Sequence, residues 1–276
     1  NFKQNDKYTV SIDVLNEYIN HRGQSIFDVM QTIVIYCTGD VIIDNKVIVS
    51  DLVQSLPRVG MVFEVPKSFS ETQWFGLDKE TYSDRKRGAR LGTYKKPTAE
   101  MFFMYDKPQE AGNREDSRWM SLENNTVGIF FDALDSTFSF SISPNSSNEL
   151  ALVDDKSMLP SNDSWTVNID YKSMGVGNGD YLPLSNENVL KDKEYNFKVR
   201  FLAYEKTNHS PFDFRMIKLP SIESNILKMP IVEKSMEKFN APMTITLSSK
   251  ENGVEIRYTL DGTEPNEKST LYKTPF

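Results

Sequence analysis

Residues 26–37 read IFDVMQTIVIYC, and residues 41–49, a few positions on, read VIIDNKVIV. Apolar and often β-branched side chains recur in both runs with a period of two, which is the period of a β-strand. The same period returns in further runs at 8–18, 59–65, 127–132, 137–143 and 195–204. Glycine, asparagine, aspartate and proline separate the runs. Short strands with turn residues between them predict antiparallel sheets.

Helices have little place in this pattern. The best candidate for an amphipathic helix, residues 148–159, is short and stands alone. Many antiparallel strands bury their apolar faces by packing sheet on sheet. We therefore predict an all-β fold, with a large antiparallel sandwich followed by a small partial β-sandwich at the C-terminus.

Composition limits the class of protein. The chain has 276 residues, 38% of them hydrophobic and 12% aromatic, which suffices for one large domain or for a medium domain with a small one. A net charge of −7 argues against nucleic acid as a partner, because phosphate contacts need clustered lysine and arginine. The apolar runs are too short to span a bilayer, so no membrane partner is expected.

Few residues in the sequence could bind a metal. The chain has one cysteine, Cys37, and two histidines, His21 and His209. One cysteine cannot form an internal disulfide, and its place in an alternating strand predicts a buried, inert thiol. A zinc site with several histidine or cysteine ligands needs more of both. We therefore expect no metal and no cofactor in this chain.

The alternation stops after residue 205. Residues 206–232 carry scattered prolines and predict a linker. Residues 233–276 begin a second pattern, in which two alternating runs flank Asn252-Gly253, a hairpin signal. The predicted organisation is a sandwich over 1–205, a linker over 206–232, and a partial module over 233–276 that is too short to complete a sandwich.

Four motifs follow one another in the first part: LPRVG at 56–60, WFGLDKETYSDR at 74–85, YDKPQEAGNREDSRW at 105–119 and NIDYKSMGVGNGD at 168–180. Their order and spacing resemble the C-terminal β-sandwich, or small-chain region, of family-2, LacZ-type β-galactosidases. The resemblance implies a super-sandwich of the galactose-mutarotase-like type. It also implies an N-terminal truncation, because the family domain begins before Asn1.

The C-terminal run EIRYTLDGTEPNEKSTLYKTPF, at 255–276, is similar to the small C-terminal module of chitobiases and β-hexosaminidases. That module is appended to many exported glycan-degrading enzymes. The resemblance therefore suggests a periplasmic or secreted parent protein.

The first resemblance implies a supporting function. In that family two glutamates on a separate TIM-barrel domain cleave the glycosidic bond. Residues 1–276 do not show the strand–helix alternation of a barrel, so no catalytic residue is expected in this chain. The chain would help form the galactosyl pocket of an enzyme that hydrolyses terminal β-galactosides. The implied partners are a β-galactoside or other galactose-containing glycan, the catalytic barrel and, in some cases, further copies in a homo-oligomer.

Two other functions remain open. The chain could be a stand-alone carbohydrate-binding module, or a structural domain that makes interdomain or oligomer contacts only. Exposed rings at Trp119 and Tyr181 would favour contact with sugar, whereas buried rings would favour the structural alternative.

The run 105–119 supplies candidate binding residues. Sugar hydroxyls are met by carboxylates, amides and guanidinium groups, with an aromatic ring against the C–H face. Here Glu110, Asn113, Arg114 and Trp119 offer those groups. The alternative is a loop that satisfies itself, with Arg114 and Arg118 paired to the acidic residues Glu110, Glu115 or Asp116.

The other two motifs depart from the family pattern. The run 74–85 matches at Trp74, Gly76, Glu80, Tyr82, Asp84 and Arg85, but Asp78 and Lys79 replace the usual Gly-Pro. We expect a structural role here, with the adjacent Asp84 and Arg85 each paired to a distant group. The basic run 84–90 is predicted to be a solvated face.

The third motif lacks an aromatic residue that the family carries. In the family, a tryptophan follows Gly-Val-Gly and packs on the substrate. Here Tyr181, with Asp180 beside it, is the substitute. The predicted substrate-binding residues are thus Tyr181, Asp180, Glu110, Asn113 and Arg114.

Overall fold

A computed structural model describes residues 2–5, 7–177, 184–207, 209–217, 219, 230–233, 244–249, 254–263, 265–266 and 268–276. The chain divides into two compact units, residues 1–222 and residues 223–276.

The first unit is built almost entirely from strands. They are β1 (Phe2–Gln4), β2 (Thr9–Ile19), β3 (Ser25–Tyr36), β4 (Val41–Val49), β5 (Arg58–Pro66), β6 (Glu71–Leu77), β7 (Leu91–Pro97), β8 (Arg114–Ser117), β9 (Trp119–Glu123), β10 (Val127–Ala133), β11 (Phe138–Ser143), β12 (Ser164–Ser173) and β13 (Glu194–Glu205). Among the described residues of this unit there are two short helices, α1 (Ser147–Ala151) and α2 (Pro211–Met216), with 3-10 turns at Thr98–Glu100, Lys156–Met158 and Asn186–Asn188.

The strands form two antiparallel sheets. A nine-stranded sheet has the order β1-β2-β3-β4-β13-β10-β9-β6-β7, and a four-stranded sheet has the order β5-β12-β11-β8. The predicted all-β antiparallel fold is confirmed. Within the helix candidate 148–159, only the segment that overlaps α1 is α-helical.

The core lies between the two sheets. In β11, which reads FSFSIS, Phe138, Phe140 and Ile142 are buried in the core, while the serines point to the opposite face. The adjacent strand β12 adds Val167 and Ile169 on the same side. This period of two produces one wholly apolar layer, which is the main source of stability for such a sandwich.

Helix α2 lies within the predicted linker and covers the outer face of the nine-stranded sheet. Its Phe214 is buried with Trp119, Phe130, Leu202 and Tyr204. Pro211 begins the helix, where the missing N–H has no cost. These contacts join residues 211–216 to the first unit.

A buried arginine fixes the end of α2. Arg200 Nη1 donates to the carbonyl oxygens of Phe214 (2.8 Å) and Ile217 (3.2 Å). Asp40 accepts from the same guanidinium at 2.7 Å, so the buried charge is compensated.

In the second unit, strands β14 (Ile231–Glu233) and β15 (Thr246–Ser248) pair with each other, as do β16 (Arg257–Tyr258) and β17 (Thr270–Leu271). The two strands expected to form a hairpin, β15 and β16, therefore have other partners. The turn residues Asn252 and Gly253 lie outside the described residues.

The prediction for Cys37 is wrong. Strand β3 ends at Tyr36, and Cys37 begins the turn to β4, where its side chain is exposed. Val34 and Tyr36 are buried and Ile35 is exposed, so the alternation itself assigns Cys37 to the exposed face.

Replacing Phe140 with alanine is expected to lower the free energy of unfolding of the first unit by about 3–5 kcal/mol. The substitution removes a fully buried ring and leaves a cavity in the core. Tryptophan fluorescence during urea unfolding measures the effect, because Trp74, Trp119 and Trp165 all lie in this unit. Phe103→Ala is the control: its side chain is 61% exposed, so the change should stay within about 0.5 kcal/mol. Equal losses in the two variants would contradict this core.

Candidate functional site

A polar cleft of about 480 Å³ opens at one end of the four-stranded sheet. It lies where β11 begins and β12 ends, beside the loop that follows β6. Its lining includes Ser83, Lys86, Glu115, Asp116, Ser139, Tyr171, Lys172 and Ser173, together with residues 186–192. Hydroxyl, carboxylate and ammonium groups therefore dominate its walls.

A β-bulge turns two side chains of β8 towards the cleft. Ser117 pairs with Phe138 and Arg114 pairs with Phe140, so Glu115 and Asp116 together stand opposite the single residue Ser139. Asp116 has φ of +55° and is the one non-glycine residue with positive φ in the described part of the chain. That conformation is uncommon for a residue with a Cβ, although aspartate tolerates it better than most.

Lys86 joins the two acidic residues of the bulge. Its Nζ lies 2.8 Å from Asp116 Oδ1 and 3.3 Å from Glu115 Oε2. Burial acts to lower the pKa of Lys86, but the hydrogen bond to Asp116 and the charge of Glu115 outweigh it and raise the pKa. Lys86 thus remains a cation. Arg85, Arg87 and Arg90 of the predicted solvated face are exposed, whereas Lys86 is half-buried against the two carboxylates.

Glu115 is buried and its charge is compensated by neighbouring donors. Its Oε1 accepts from Asn113 Nδ2 and from Ser173 Oγ, each at 2.9 Å. Its backbone N–H donates to Thr81 Oγ1 at 2.9 Å. These bonds hold the acidic side chain, and through it Lys86, in one orientation.

Two of the predicted binding residues support the structure beneath the cleft. Asn113 donates to the carbonyl oxygen of Thr81 at 2.9 Å as well as to Glu115. Arg114 is buried with its guanidinium 5.7 Å from the ring centre of Trp74, and its Nη1 donates to the Gly112 carbonyl at 2.9 Å. Burial lowers the pKa of Arg114. Neither side chain lines the cleft.

Glu110, the third described candidate, forms an ion pair with Arg58 at the start of β5. Arg58 Nη1 is also 3.7 Å from Asp170 Oδ2 on β12. Burial raises the pKa of Asp170 from its usual 3.8 to about 7, with Arg58 opposing the shift and Glu110 and Glu115 adding to it. Glu110 therefore ties the 105–119 loop to the four-stranded sheet.

Arg118 contacts one of its expected partners, Asp116, but through the backbone carbonyl instead of the carboxylate. Arg118 Nη1 donates to the backbone carbonyl of Asp116 at 3.1 Å, and its guanidinium lies 5.2 Å from the ring centre of Phe75. Trp119 is only 2% exposed and packs under α2. It therefore cannot serve as a sugar platform in this structure, because its ring lies in a core on the outer face of the large sheet.

Asp84 binds the chain that leads out of β12. Its carboxylate accepts from the backbone N–H of Val176 at 3.1 Å and of Gly177 at 2.9 Å. A Cβ on Gly175 would lie 2.7 Å from Asp84 Cγ and 2.5 Å from Leu184 Cδ1. Gly177 has φ of +64°. Both glycines of the Gly-Val-Gly run are therefore required here. Gly175 has no room for a Cβ beside Asp84, and Gly177 has a positive φ that favours glycine.

The prediction that Asp84 contacts a distant segment is confirmed. Arg85 differs, because its Nε lies 3.8 Å from the neighbouring Asp84. The remaining two candidates, Asp180 and Tyr181, lie outside the described residues.

The lining residues Lys86, Asp116, Ser139 and Ser173 were not among the binding residues predicted from the sequence. One signal was present: the FSFSIS run places Ser139 on the face opposite the phenylalanines. The pairing of Lys86 with Asp116 spans 30 positions, and no local pattern indicates it.

Within the described ranges, no group of three or more histidine, cysteine, aspartate or glutamate side chains is arranged to hold a metal ion. No helix in this part of the chain is long and apolar enough to cross a bilayer.

The fold and cleft define the class of protein: a two-sheet antiparallel β-sandwich whose loops enclose a polar cleft. Its family follows from sequence comparison. The model of the β-galactosidase small chain family matches residues 2–201, so the chain belongs to that family. The model of the chitobiase/β-hexosaminidase C-terminal domain matches residues 235–276.

Curated relatives match a similar region. The chain is 35% identical to the β-galactosidase of Priestia megaterium over 150 residues, which are 54% of this chain and 14% of that protein. It is 34% identical to the β-galactosidase of Halalkalibacterium halodurans over 151 residues, or 52% of this chain and 15% of that protein. The chain thus spans about a seventh of the length of these relatives.

Among solved structures, the chain is similar to galactose 1-epimerase from Lactobacillus acidophilus. The TM-score is 0.43 at 9% sequence identity, with 74% of this chain and 66% of that chain covered.

The contribution of Asp170 to the stability of the first unit should fall as pH rises from about 4 to about 7. Folding raises the pKa of Asp170, so the folded state binds its proton more tightly. The stabilisation is fully present below about pH 4 and is lost as pH rises through 7. At about 1.4 kcal/mol per pKa unit, it amounts to a few kcal/mol.

Asp170→Asn tests this linkage. Relative to the native chain, its urea midpoint should rise progressively between pH 4 and pH 7, because asparagine does not ionise. Asp106→Asn, at an exposed position, should track the native chain at every pH. A constant difference between Asp170→Asn and the native chain over this range would contradict the assignment.

Proposed function

We propose that this chain is a non-catalytic part of a β-galactosidase that helps form the galactosyl pocket, so that the complete enzyme hydrolyses terminal β-galactosides. The observation that carries the proposal is the family match over residues 2–201. Similar proteins bearing the name β-galactosidase are about seven times longer than the aligned region, which leaves room for a catalytic domain elsewhere in the polypeptide.

The contribution to the pocket is proposed to come from the segment that leaves β12. Asp84 fixes this segment at Val176 and Gly177, just before Asp180 and Tyr181 in sequence. A tyrosine supplies a ring face for sugar C–H groups and a hydroxyl for a hydrogen bond. In this proposal Asp180 and Tyr181 contact the galactosyl unit, and Asp84 positions them.

The chemistry is assigned to the catalytic barrel of the parent enzyme. A retaining glycosidase needs an acid and a nucleophile, two carboxyl groups about 5 Å apart that both reach the glycosidic bond. In this proposal the present chain supplies binding and orientation only.

A structural domain without sugar contact is the second candidate. The burial of Asn113, Arg114 and Trp119 favours it, because all three were candidate sugar contacts. The two candidates differ in what they predict for Tyr181.

Tyr181→Ala in the full-length enzyme is expected to lower kcat/KM for an aryl β-galactoside by about tenfold or more. A tenfold change corresponds to about 1.4 kcal/mol, which is within the range of one lost aromatic contact. Tyr181→Phe should retain most of the activity, because it keeps the ring. Tyr8→Ala, at an exposed position on the first unit, is the matched control. Full activity of Tyr181→Ala would favour the structural candidate.

Asp84→Ala in the full-length enzyme should also lower kcat/KM by about tenfold, since it removes two charge-assisted hydrogen bonds that order the same segment. Asp84→Asn retains one acceptor oxygen and should recover much of the loss. Asp154→Ala, at an exposed carboxylate, should have no effect. An unchanged kcat/KM in Asp84→Ala would remove the positioning role.

A further inference from the structure

We propose that the cleft is a saccharide subsite formed by this chain alone, in which Asp116 and Lys86 bind the hydroxyls of one neutral sugar residue. The choice of galactose as that sugar rests on the proposed function, whereas the class of ligand rests on the cleft itself.

The backbone at Asp116 is the first observation. The bulge requires a left-handed conformation there, and glycine is the residue that adopts it with least strain. Aspartate at such a position indicates that its side chain has a use. The Asp116 side chain either serves only the ion pair with Lys86 or also binds a ligand. The unused hydrogen-bonding capacity of Asp116 and Lys86 favours a ligand.

Both groups retain unused hydrogen-bonding capacity on the open side of the cleft. Lys86 contacts Oδ1 of Asp116, while a carboxylate has about four lone-pair sites on two oxygens. Lys86 has three donors, and its two carboxylate contacts account for two of them. The Asp116 side chain is 40% exposed and the Lys86 side chain is 36% exposed. Two neighbouring hydroxyls can therefore bridge the pair, one donating to Asp116 and one accepting from Lys86.

Charge selects against ionic ligands. The lining carries four carboxylates and three ammonium groups: Glu115, Asp116, Glu187 and Asp192, with Lys86, Lys172 and Lys191. An anion would meet the carboxylates and a cation the lysines, so neither is favoured. A neutral molecule rich in hydroxyls can use donors and acceptors together.

The remaining lining fits the same ligand. Ser139 and Ser173 have their hydroxyl oxygens 3.5 Å apart at the floor of the cleft. The cleft volume of about 480 Å³ lies within the range of about 300–1,000 Å³ for small-molecule sites. One sugar residue is therefore accommodated without rearrangement of the sheet.

The test is a titration of the complete 276-residue chain with galactose and with glucose, followed by two-dimensional amide NMR. We expect saturable shifts, with a Kd on the order of millimolar, confined to the cleft residues 83–86, 115–116, 137–139, 171–173 and 186–192. No saturable shift of these residues with either sugar overturns the proposal.

Asp116→Gly is the decisive variant, because it keeps the bulge conformation and removes the carboxylate. It should weaken sugar binding at least tenfold while the urea midpoint stays the same or rises. Lys86→Gln provides a second measurement and should also weaken binding. Asp106→Asn, outside the cleft, should bind as the native chain does. Native affinity in both Asp116→Gly and Lys86→Gln overturns the proposal, because the pair would then serve only to hold the loop.

The outcome is separable from that of the proposed function. The titration uses no catalytic domain, whereas the Tyr181 variants are measured by turnover in the full-length enzyme. If the cleft binds sugar but the full-length enzyme has no β-galactosidase activity, only the proposed function is overturned. If the full-length enzyme is active and depends on Tyr181, but the cleft binds neither galactose nor glucose, only the saccharide subsite is overturned.

Discussion

The geometry of the cleft depends on how one buried charge, that of Glu115, is satisfied. Its carboxylate is reached by Asn113, Ser173 and Lys86, which belong to three separate segments: the entry to β8, the end of β12 and the loop after β6. A buried carboxylate that loses a hydrogen-bond donor is left partly unsatisfied, at a cost of about 1–3 kcal/mol. The three segments are therefore held together as one unit. The bulge at Asp116, and the orientation of Lys86, follow from that constraint.

The second constraint is that strand β11 of the four-stranded sheet is buried on both faces. One face of β11 is apolar and packs in the core, while the other carries Ser139, Ser141 and Ser143, which are also buried. Such a polar face tolerates burial because its groups bond one another, as Asn168 Nδ2 does with Ser141 Oγ at 3.0 Å. The same row of hydroxyls reaches the cleft at Ser139. The polar face of β11 therefore continues into the cleft, where its serine Ser139 forms part of the lining.

The sequence predicted what depends on local pattern and missed what depends on pairing between distant residues. A period of two is a property of neighbouring positions, so the strands and the all-β class followed from it. The cleft requires contacts of Lys86 with Asp116 and of Ser173 with Glu115, which are 30 and 58 positions apart and are brought together only by the tertiary fold. For the same reason Trp119 was expected in a binding loop, although the return of α2 to the sheet buries it. Composition indicated which groups were available but not which of them would face solvent.

Raised pKa values in this domain have a structural cause. Burial raises the pKa of Asp132 to about 6 and that of Asp170 to about 7. Perturbed carboxyls often mark catalytic sites, but a catalytic acid must also reach its substrate. Both side chains here are almost fully buried, and each is held by an arginine, Arg215 for Asp132 and Arg58 for Asp170. In contrast, Lys86 and Asp116 form a partly exposed ion pair at 2.8 Å, which suits them to binding hydroxyls in the proposed subsite. The carboxyl groups whose pKa is raised by burial, Asp132 and Asp170, are thus different residues from the carboxylates that line the cleft.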